Sequence, residues 1–153
     1  MNQLIIRKAT PADMHILLQF EQGVIAAERP FDTALRTDHI QYYDLEAMIH
    51  SPHIELLVAT LDGQVTGTGY ARIEKSKHFL RHAQHAYLGF MFTHPDHRGK
   101  GINLAIIEAL TKWAAARQVY ECRLEVYAEN SAAIKAYEKA GFKSLMLEMR
   151  LSL

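Results

Sequence analysis

The amino-acid sequence predicts an α/β fold, a mixed sandwich layered around one sheet. Runs with the two-residue period of strands alternate with runs at helical spacing along the chain. Two strand-like runs meet at Asp62-Gly63, a dipeptide that supplies the positive φ angles of a two-residue hairpin turn. A short apolar run from Ala86 to Thr93 leads through a glycine-rich turn into a long amphipathic stretch.

Taken in order, Leu4, Ile5 and Ile6 predict a first strand. Thr10-Pro11-Ala12-Asp13 has the features of a helix start, ahead of Leu17, Phe20 and Val24 at helical spacing. Glu28-Arg29-Pro30-Phe31-Asp32 breaks that helix, and a second, more polar helix is predicted from about Asp38 to Ile49, before Pro52. Ile54 to Leu61 and Gln64 to Ile73 form the hairpin. After a polar connection, Ala86 to Thr93 is a strand ended by His94-Pro95-Asp96, and Ile102 to Gln118 is a helix in which Glu108 and Lys112 pair one turn apart. Cys122, Leu124 and Val126 alternate with Arg123, Glu125 and Tyr127 as a strand does. Ser131 to Ala140 is a helix closed by Gly141, and Phe142 to Arg150 a final strand.

At 153 residues the chain is long enough for one domain whose core needs neither disulfides nor a structural metal, and no linker divides it. Hydrophobic residues make up 49% and charged residues 22%, a globular balance that excludes disordered and fibrous classes. Basic and acidic residues both number 17, so no net field draws the chain to nucleic acid or anionic lipid, and any anion site must be local. A single cysteine, Cys122, and a start Met1-Asn2-Gln3-Leu4 without signal-peptide blocks point to a reducing cytoplasm. No apolar run approaches the roughly 18 residues of a membrane span, and no internal repeat is present.

The turn Arg98-Gly99-Lys100-Gly101-Ile102-Asn103 joins a strand to a helix. Backbone N–H groups at a helix start point at an anion and the helix dipole favours it, so phosphate is the natural ligand. Glycine lets the backbone approach oxygen atoms closely, while Arg98 and Lys100 add charge suited to a pyrophosphate. The plain alternative is an ordinary connection with solvated basic residues. A Walker loop is excluded because Lys100 is followed by Gly101, and Gly67 and Gly69 are followed by Arg72 where a dinucleotide fingerprint needs glycine. What remains is R-x-x-G-x-[small] from Arg98, followed about thirty residues later by Asn130-x-x-Ala133-x-x-x-Tyr137-x-x-x-Gly141-Phe142.

This pairing resembles the GNAT superfamily of acetyl-CoA-dependent N-acetyltransferases over roughly Tyr87 to Phe142, with a compatible order of strands and helices upstream. The resemblance implies a mixed, mostly antiparallel sheet of six to seven strands flanked by about four helices. It implies that the strand before the turn bulges and parts from its neighbour, which frees backbone groups of Met91, Phe92 and Thr93 to bond a pantetheine arm. The pyrophosphate turn maps onto Arg98, Gly99, Lys100, Gly101, Ile102, Asn103 and Leu104, and the asparagine beside the pantetheine onto Asn130. The sixth position of the turn, usually Gly or Ala, is Asn103, whose side chain either crowds a phosphate or hydrogen-bonds to it.

A primary amine with pKa near 10.4 is neutral in about one molecule per thousand or fewer at pH 7, and only that form attacks a thioester. The departing thiolate needs a proton or a hydrogen bond, and Tyr137 stands at the family position that supplies it; on residue type alone it packs equally well with Ala133 and Ile134. Many relatives carry the base on the strand before the turn, but Phe90 and its neighbours are apolar. Ribosomal-protein alanine acetyltransferases instead carry a glutamate twelve residues before the tyrosine, where Glu125 stands. Glu125 is alternatively an ion-paired or solvated partner of Arg123 on the same strand face.

His78, His82 and His85 lie in a basic stretch from Lys75 to His85, where a solvated connection beside the acceptor mouth is favoured over metal binding. His94 and His97 flank Pro95 and are left unassigned. The acids of the segment from Glu28 to Asp32 lie, in the family, over the acceptor groove and attract a cationic amine, or are ordinary surface charge. Cys122 reads as a buried small hydrophobe rather than a nucleophile. The resulting expectation is a metal-independent N-acetyltransferase that moves an acetyl group from acetyl-CoA to a protein N-terminus or to a small amine such as a polyamine, aminoglycoside or amino acid. Tyr137 is the acid and Glu125 the candidate base. The alternative from another class is an acyl-CoA-binding sensor module, and a homodimer is left open.

Overall fold

The computed structural model describes residues 3–153; Met1 and Asn2, which open the segment read above for a signal peptide, lie outside the described residues. Strands β1 (Leu4–Lys8), β2 (Ile54–Leu61), β3 (Gln64–Lys75), β4 (Gln84–Thr93) and β5 (Cys122–Arg123) form one sheet in that spatial order. Pairing is antiparallel from β1 to β4 and parallel between β4 and β5. Helices α1 (Met14–Glu28), α2 (Leu45–His50), α3 (Ile102–Ala116) and α4 (Ser131–Lys139) flank it, with single 3-10 turns at Pro11–Asp13 and Pro95–His97. The expected mixed class and four helices hold, with five strands among the described residues rather than six or seven.

Local chemistry explains most of the boundaries. Asp62 and Gly63 take φ of 52° and 84°, the left-handed pair that closes β2 onto β3. Asp13 accepts the Arg7 guanidinium at 2.8 and 2.9 Å and the Thr10 N–H at 2.8 Å, tying the end of β1 to the start of α1. Asn130 caps α4 through a bond from the Ala133 N–H, and Gly141 at φ 103° ends it, with the Phe142 N–H on the Tyr137 carbonyl.

The sheet divides the core into two layers. Leu57, Ala59, Ala71, Ala86 and Leu88 face α3, with Ile102, Ile106 and Leu110. Leu56, Val58, Tyr70 and Phe90 face α1 and α2, with Leu17, Phe20, Leu45 and Met48. Gly67 and Gly69, which fail as a nucleotide motif, serve this packing: a Cβ at Gly67 would lie 2.8 Å from Ile102 Cγ2, and one at Gly69 2.6 Å from Met91 Sδ. Their bare backbone lets α3 rest directly on β3.

Three expectations are corrected. The second helix begins at Leu45, capped by Asp44, and not near Asp38. The reason is Glu21, fully buried on α1, whose Oε2 accepts the N–H groups of Tyr42 and Tyr43 at 2.9 and 2.8 Å, while Gln22 bonds the Ile40 carbonyl. These bonds hold 40–43 outside the helix. The strand through Val126 shrinks to Cys122–Arg123, because β4 keeps a parallel ladder with it only at Ala86 and Tyr87. Residues 142–150 form no strand and lie without a ladder partner, with most of their side chains in water.

Removing the Glu21 carboxylate would leave two backbone N–H groups without an acceptor. We expect Glu21→Ala to lower stability by about 2–4 kcal/mol and Glu21→Gln by clearly less, measured by urea unfolding. An alanine variant as stable as the parent would show that the tether does not hold the loop.

Candidate active site

Two irregularities at the end of β4 shape the site. Between Thr68, opposite Phe92, and Tyr70, opposite Gly89, the register with β3 shifts, so Gly69 alone faces Phe90 and Met91. This is a β-bulge, and Phe90 takes φ 53°, a left-handed conformation that a phenylalanine rarely adopts. The extra residue reverses the alternation. Ala86 and Leu88 point to α3, whereas Phe90 points to α1 and stacks on Tyr43 at 4.7 Å. Gly23 of α1 leaves space for the Phe92 ring, which a Cβ there would approach to 2.7 Å. Beyond Tyr87, β4 has no ladder on the β5 side, so the strand pair opens from Leu88 onward. Met91, Phe92 and Thr93 lie in that opening.

The glycine turn follows directly. Gly99 and Gly101 take φ of 77° and 78°, and a Cβ at either would meet nothing within 4 Å. They are needed for conformation rather than for space. Gly101 is the N-cap of α3, so the N–H groups of Ile102, Asn103 and Leu104 are free of helical partners and point out of the helix start. Lys100 Nζ lies 3.2 Å from His97 Nδ1, and His94 Nδ1 accepts the Asp96 N–H, so the histidines left unassigned by sequence shape the turn.

Tyr137 lies at the edge of the core cluster that also holds Met91 and Leu124. Burial, then the charge of Glu28, pushes its hydroxyl up to about 12, so it stays a donor across the physiological range. The Asn130 carbonyl oxygen is engaged as a helix cap, which leaves its amide N–H₂ for another partner. Glu125 accepts the Tyr87 hydroxyl at 3.0 Å, while Arg123 approaches Glu121 at 3.5 Å rather than Glu125.

Sequence reasoning named the acids of 28–32 without separating them, and the structure does so. Glu28, at the end of α1, is half-buried; desolvation raises its pKa against the opposing pull of a bond from Tyr42, and the Asp32 charge raises it further. Asp32 is held down at about 2 by Arg150 at 2.7 Å, then by the Tyr127 hydroxyl at 2.8 Å and the Ala34 N–H. Two neighbouring carboxyls thus diverge, Glu28 shifted up and Asp32 down. Tyr127 also stacks on Phe31 at 6.2 Å, and the Tyr42 hydroxyl is buried without a bond of good geometry. No local pattern marks Glu28, because its neighbours Tyr42, Tyr127 and Tyr137 come from distant parts of the chain.

Comparison with known proteins decides the family. The profile of the acetyltransferase (GNAT) family matches residues 21–142. The chain belongs to the GNAT acetyltransferase family. An acetyltransferase of Pectobacterium atrosepticum is 34% identical over 106 residues, 67% of each chain. A streptothricin acetyltransferase of Escherichia coli is 46% identical over 46 residues, which is 30% of this chain and 26% of that protein. A point variant of a Bacillus halodurans protein superposes with TM-score 0.87 at 21% identity, covering 97% of this chain and 99% of that one. A predicted acetyltransferase from Clostridium acetobutylicum with acetyl-CoA superposes with TM-score 0.74 at 17% identity, covering 98% and 96%. At these identities the two structures show the shared fold.

The remaining side chains singled out by sequence lie apart from this GNAT site. His82 and His85 have ring centroids 6.4 Å apart, and His85 bridges Ser76 at 3.0 Å and Glu74 at 3.3 Å; His78 packs edge-on against Phe79. Among the described residues no group of three or more His, Cys, Asp or Glu is placed to hold a metal, and no helix is long and apolar enough to cross a membrane. Burial, then Glu121, pushes the Cys122 thiol up, away from nucleophilic use.

Because the folded Asp32 carboxyl lies below its unfolded value near 3.9, its contribution to stability is complete above about pH 4 and is lost as pH falls toward about 2. Comparing urea midpoints of the parent and Asp32→Asn across pH should show a constant gap near neutrality that closes on acidification. A gap that ignores pH would mean the Arg150 contact contributes nothing.

Proposed function

We propose that this chain, as one domain over 1–153 in a reducing cytoplasm, transfers the acetyl group of acetyl-CoA to a primary amine by direct attack, without a covalent enzyme intermediate. The observation that carries the reading is the opening of β4 from β5 beside the glycine turn, with Tyr137 at its edge. Family membership and the acetyl-CoA of the Clostridium acetobutylicum structure support the cofactor. The pieces present fit it. The edge of Met91, Phe92 and Thr93 that faces away from β3 suits the amides of pantetheine, and the free N–H groups after Gly101, with Arg98, Gly99 and Lys100, suit a pyrophosphate. The Asn130 amide and the half-buried Asn103 face the same use.

The acceptor arrives as an ammonium ion. Asp32 remains ionised and attracts it, while Glu28, with its raised pKa, is the carboxylate better matched to removing its proton. Glu125, the base expected from spacing, shares one oxygen with Tyr87 and is the second choice. Tyr137 near 12 does not give its proton fully to a thiolate of pKa about 8.5; it lowers the barrier by donating a hydrogen bond to the sulfur as the carbon–sulfur bond breaks. The aromatic and acidic lining of Phe31, Tyr42, Tyr127, Glu28 and Asp32 suits a small cationic amine, and the partial match to a streptothricin acetyltransferase supports that class. The spacing of Glu125 favours a protein or peptide N-terminus as the second reading.

Calorimetry with acetyl-CoA and a thiol-release assay over a panel of amines test this together. We expect one-site binding, turnover with a small amine, and a Tyr137→Phe variant that binds as the parent does but turns over about 100-fold more slowly. The base assignment predicts that kcat/KM falls as pH drops through the raised Glu28 pKa, and that Glu28→Gln loses this limb while Glu125→Gln keeps it. Binding without turnover on any amine would support a sensor module instead.

A further inference from the structure

The carboxylate of Asp32 is engaged on both oxygens within the chain. Its Oδ1 accepts the Arg150 guanidinium at 2.7 Å and the Ala34 N–H at 2.9 Å, and its Oδ2 accepts the Tyr127 hydroxyl at 2.8 Å. An ionised carboxylate only accepts, so the single proton of Tyr127 points at Asp32 and the hydroxyl oxygen turns its lone pairs elsewhere. Arg150, on the C-terminal segment, keeps Asp32 ionised through a charge-assisted bond and so fixes that polarity. Phe31 stacks on the Tyr127 ring at 6.2 Å and holds its plane.

A second hydroxyl nearby lacks a partner. Tyr42 Oη is buried with no hydrogen bond of good geometry, a costly state unless a bound group completes it. Beyond burial and direct bonds, the charge of Glu28 raises the pKa of Tyr42, Tyr127 and Tyr137, so one carboxyl lies within charge range of all three hydroxyls. The tyrosines come from the segment before α2, the segment after β5, and α4, and they converge on the end of α1. Oxygens that accept, beside an acid that takes a proton, match the needs of an alkylammonium group with its three N–H donors.

We propose that Tyr127 holds the amine nitrogen of the acceptor, and that Arg150 and Asp32 are positioning residues that set its hydroxyl to accept. The inference rests on the acetyl-transfer reading above and states how that site selects a primary amine. Of the three N–H bonds of the incoming ammonium, Tyr127 Oη accepts one and Tyr42 Oη a second. The third breaks, its proton passes to the Glu28 carboxylate, and the electron pair left on nitrogen attacks the thioester carbon. The C–N bond forms as the C–S bond breaks, and the thiolate leaves with the proton that the acylated nitrogen sheds. Neutral oxygens suit this step, because a free carboxylate touching the nitrogen would stabilise the charged amine and oppose deprotonation. Asp32, its charge balanced by Arg150 and one bond removed, orients Tyr127 without that opposition. A secondary amine has one N–H fewer and loses one hydroxyl contact; a tertiary amine loses both.

The full chain is titrated with benzylamine and with N-methylbenzylamine, affinity being read from the amide NMR shifts of residues 31–34 and Tyr127, and turnover of both amines from thiol release. Tyr127→Phe should weaken benzylamine about 10-fold and narrow its advantage over the N-methyl amine, and Arg150→Gln should weaken it about 3-fold. Arg150→Lys should bind as the parent does, and Tyr127→Phe/Arg150→Gln no more weakly than Tyr127→Phe alone, since Arg150 acts through Tyr127. Additive losses, tighter binding in Arg150→Gln, or no binding of benzylamine overturns the proposal. If Tyr127→Phe unfolds, seen as collapse of the amide spectrum, the contrast of Arg150→Gln with Arg150→Lys decides. The expected binding pattern without turnover supports Tyr127 as the amine site and sinks the acetyl-transfer reading; turnover with parent-like binding in Tyr127→Phe does the reverse.

Discussion

Phe90 holds a positive φ in the middle of a strand, a conformation that costs a non-glycine residue on the order of 1–3 kcal/mol and persists only where surrounding packing enforces it. Here the enforcement is aromatic. The ring is buried against Tyr43 and Tyr70 on the α1 side, while Met91 fills the space that Gly69 leaves on the α3 side. The bulge re-aims the side chains at the end of β4 while Phe92 and Thr93 stay paired with β3, and the parallel ladder with β5 stops at Tyr87. From that single departure follow the opening beside Met91–Thr93, the short β5, and the position of the glycine turn at the mouth of the opening.

The second organising feature is the set of tethers from α1 to the segment after it. Glu21, Gln22 and Arg29 bond the backbone of 36–43, and so place Tyr42 and Tyr43 against the sheet. Tyr43 supports Phe90, and the Tyr42 hydroxyl lies close enough to bias the Glu28 carboxyl. The scaffold of the opening and the electrostatics of the proposed acceptor side therefore share one loop. A change that loosens 36–43 would be felt at both the bulge and the Glu28–Asp32 pair.

Local patterns in the sequence account for much of this and miss the rest for identifiable reasons. Asp62-Gly63, the Asn130 cap, Gly141 and the Gly99–Gly101 turn act through their own backbone, so residue type alone discloses them. Phe90 is not legible in that way, since nothing about a phenylalanine announces a left-handed residue. The stretch 38–43 looks helical until a carboxylate some twenty residues earlier claims its N–H groups. Glu28 gains its raised pKa chiefly from burial, which only the fold supplies, and its Tyr42 partner comes from a distant part of the chain. Residues 142–150 carry a true strand pattern, but a pattern specifies a strand without specifying its partner, and β5 does not take it up within the chain.

The account rests on the opened end of β4 being a binding surface, and an amide-resolved NMR titration of the chain with acetyl-CoA tests that most directly. The largest shifts should fall on Met91, Phe92 and Thr93 and on Gly99 through Leu104, saturating together with a single affinity. Saturable shifts confined elsewhere, for example around His82 and Glu121, or no shifts at millimolar ligand, would contradict it.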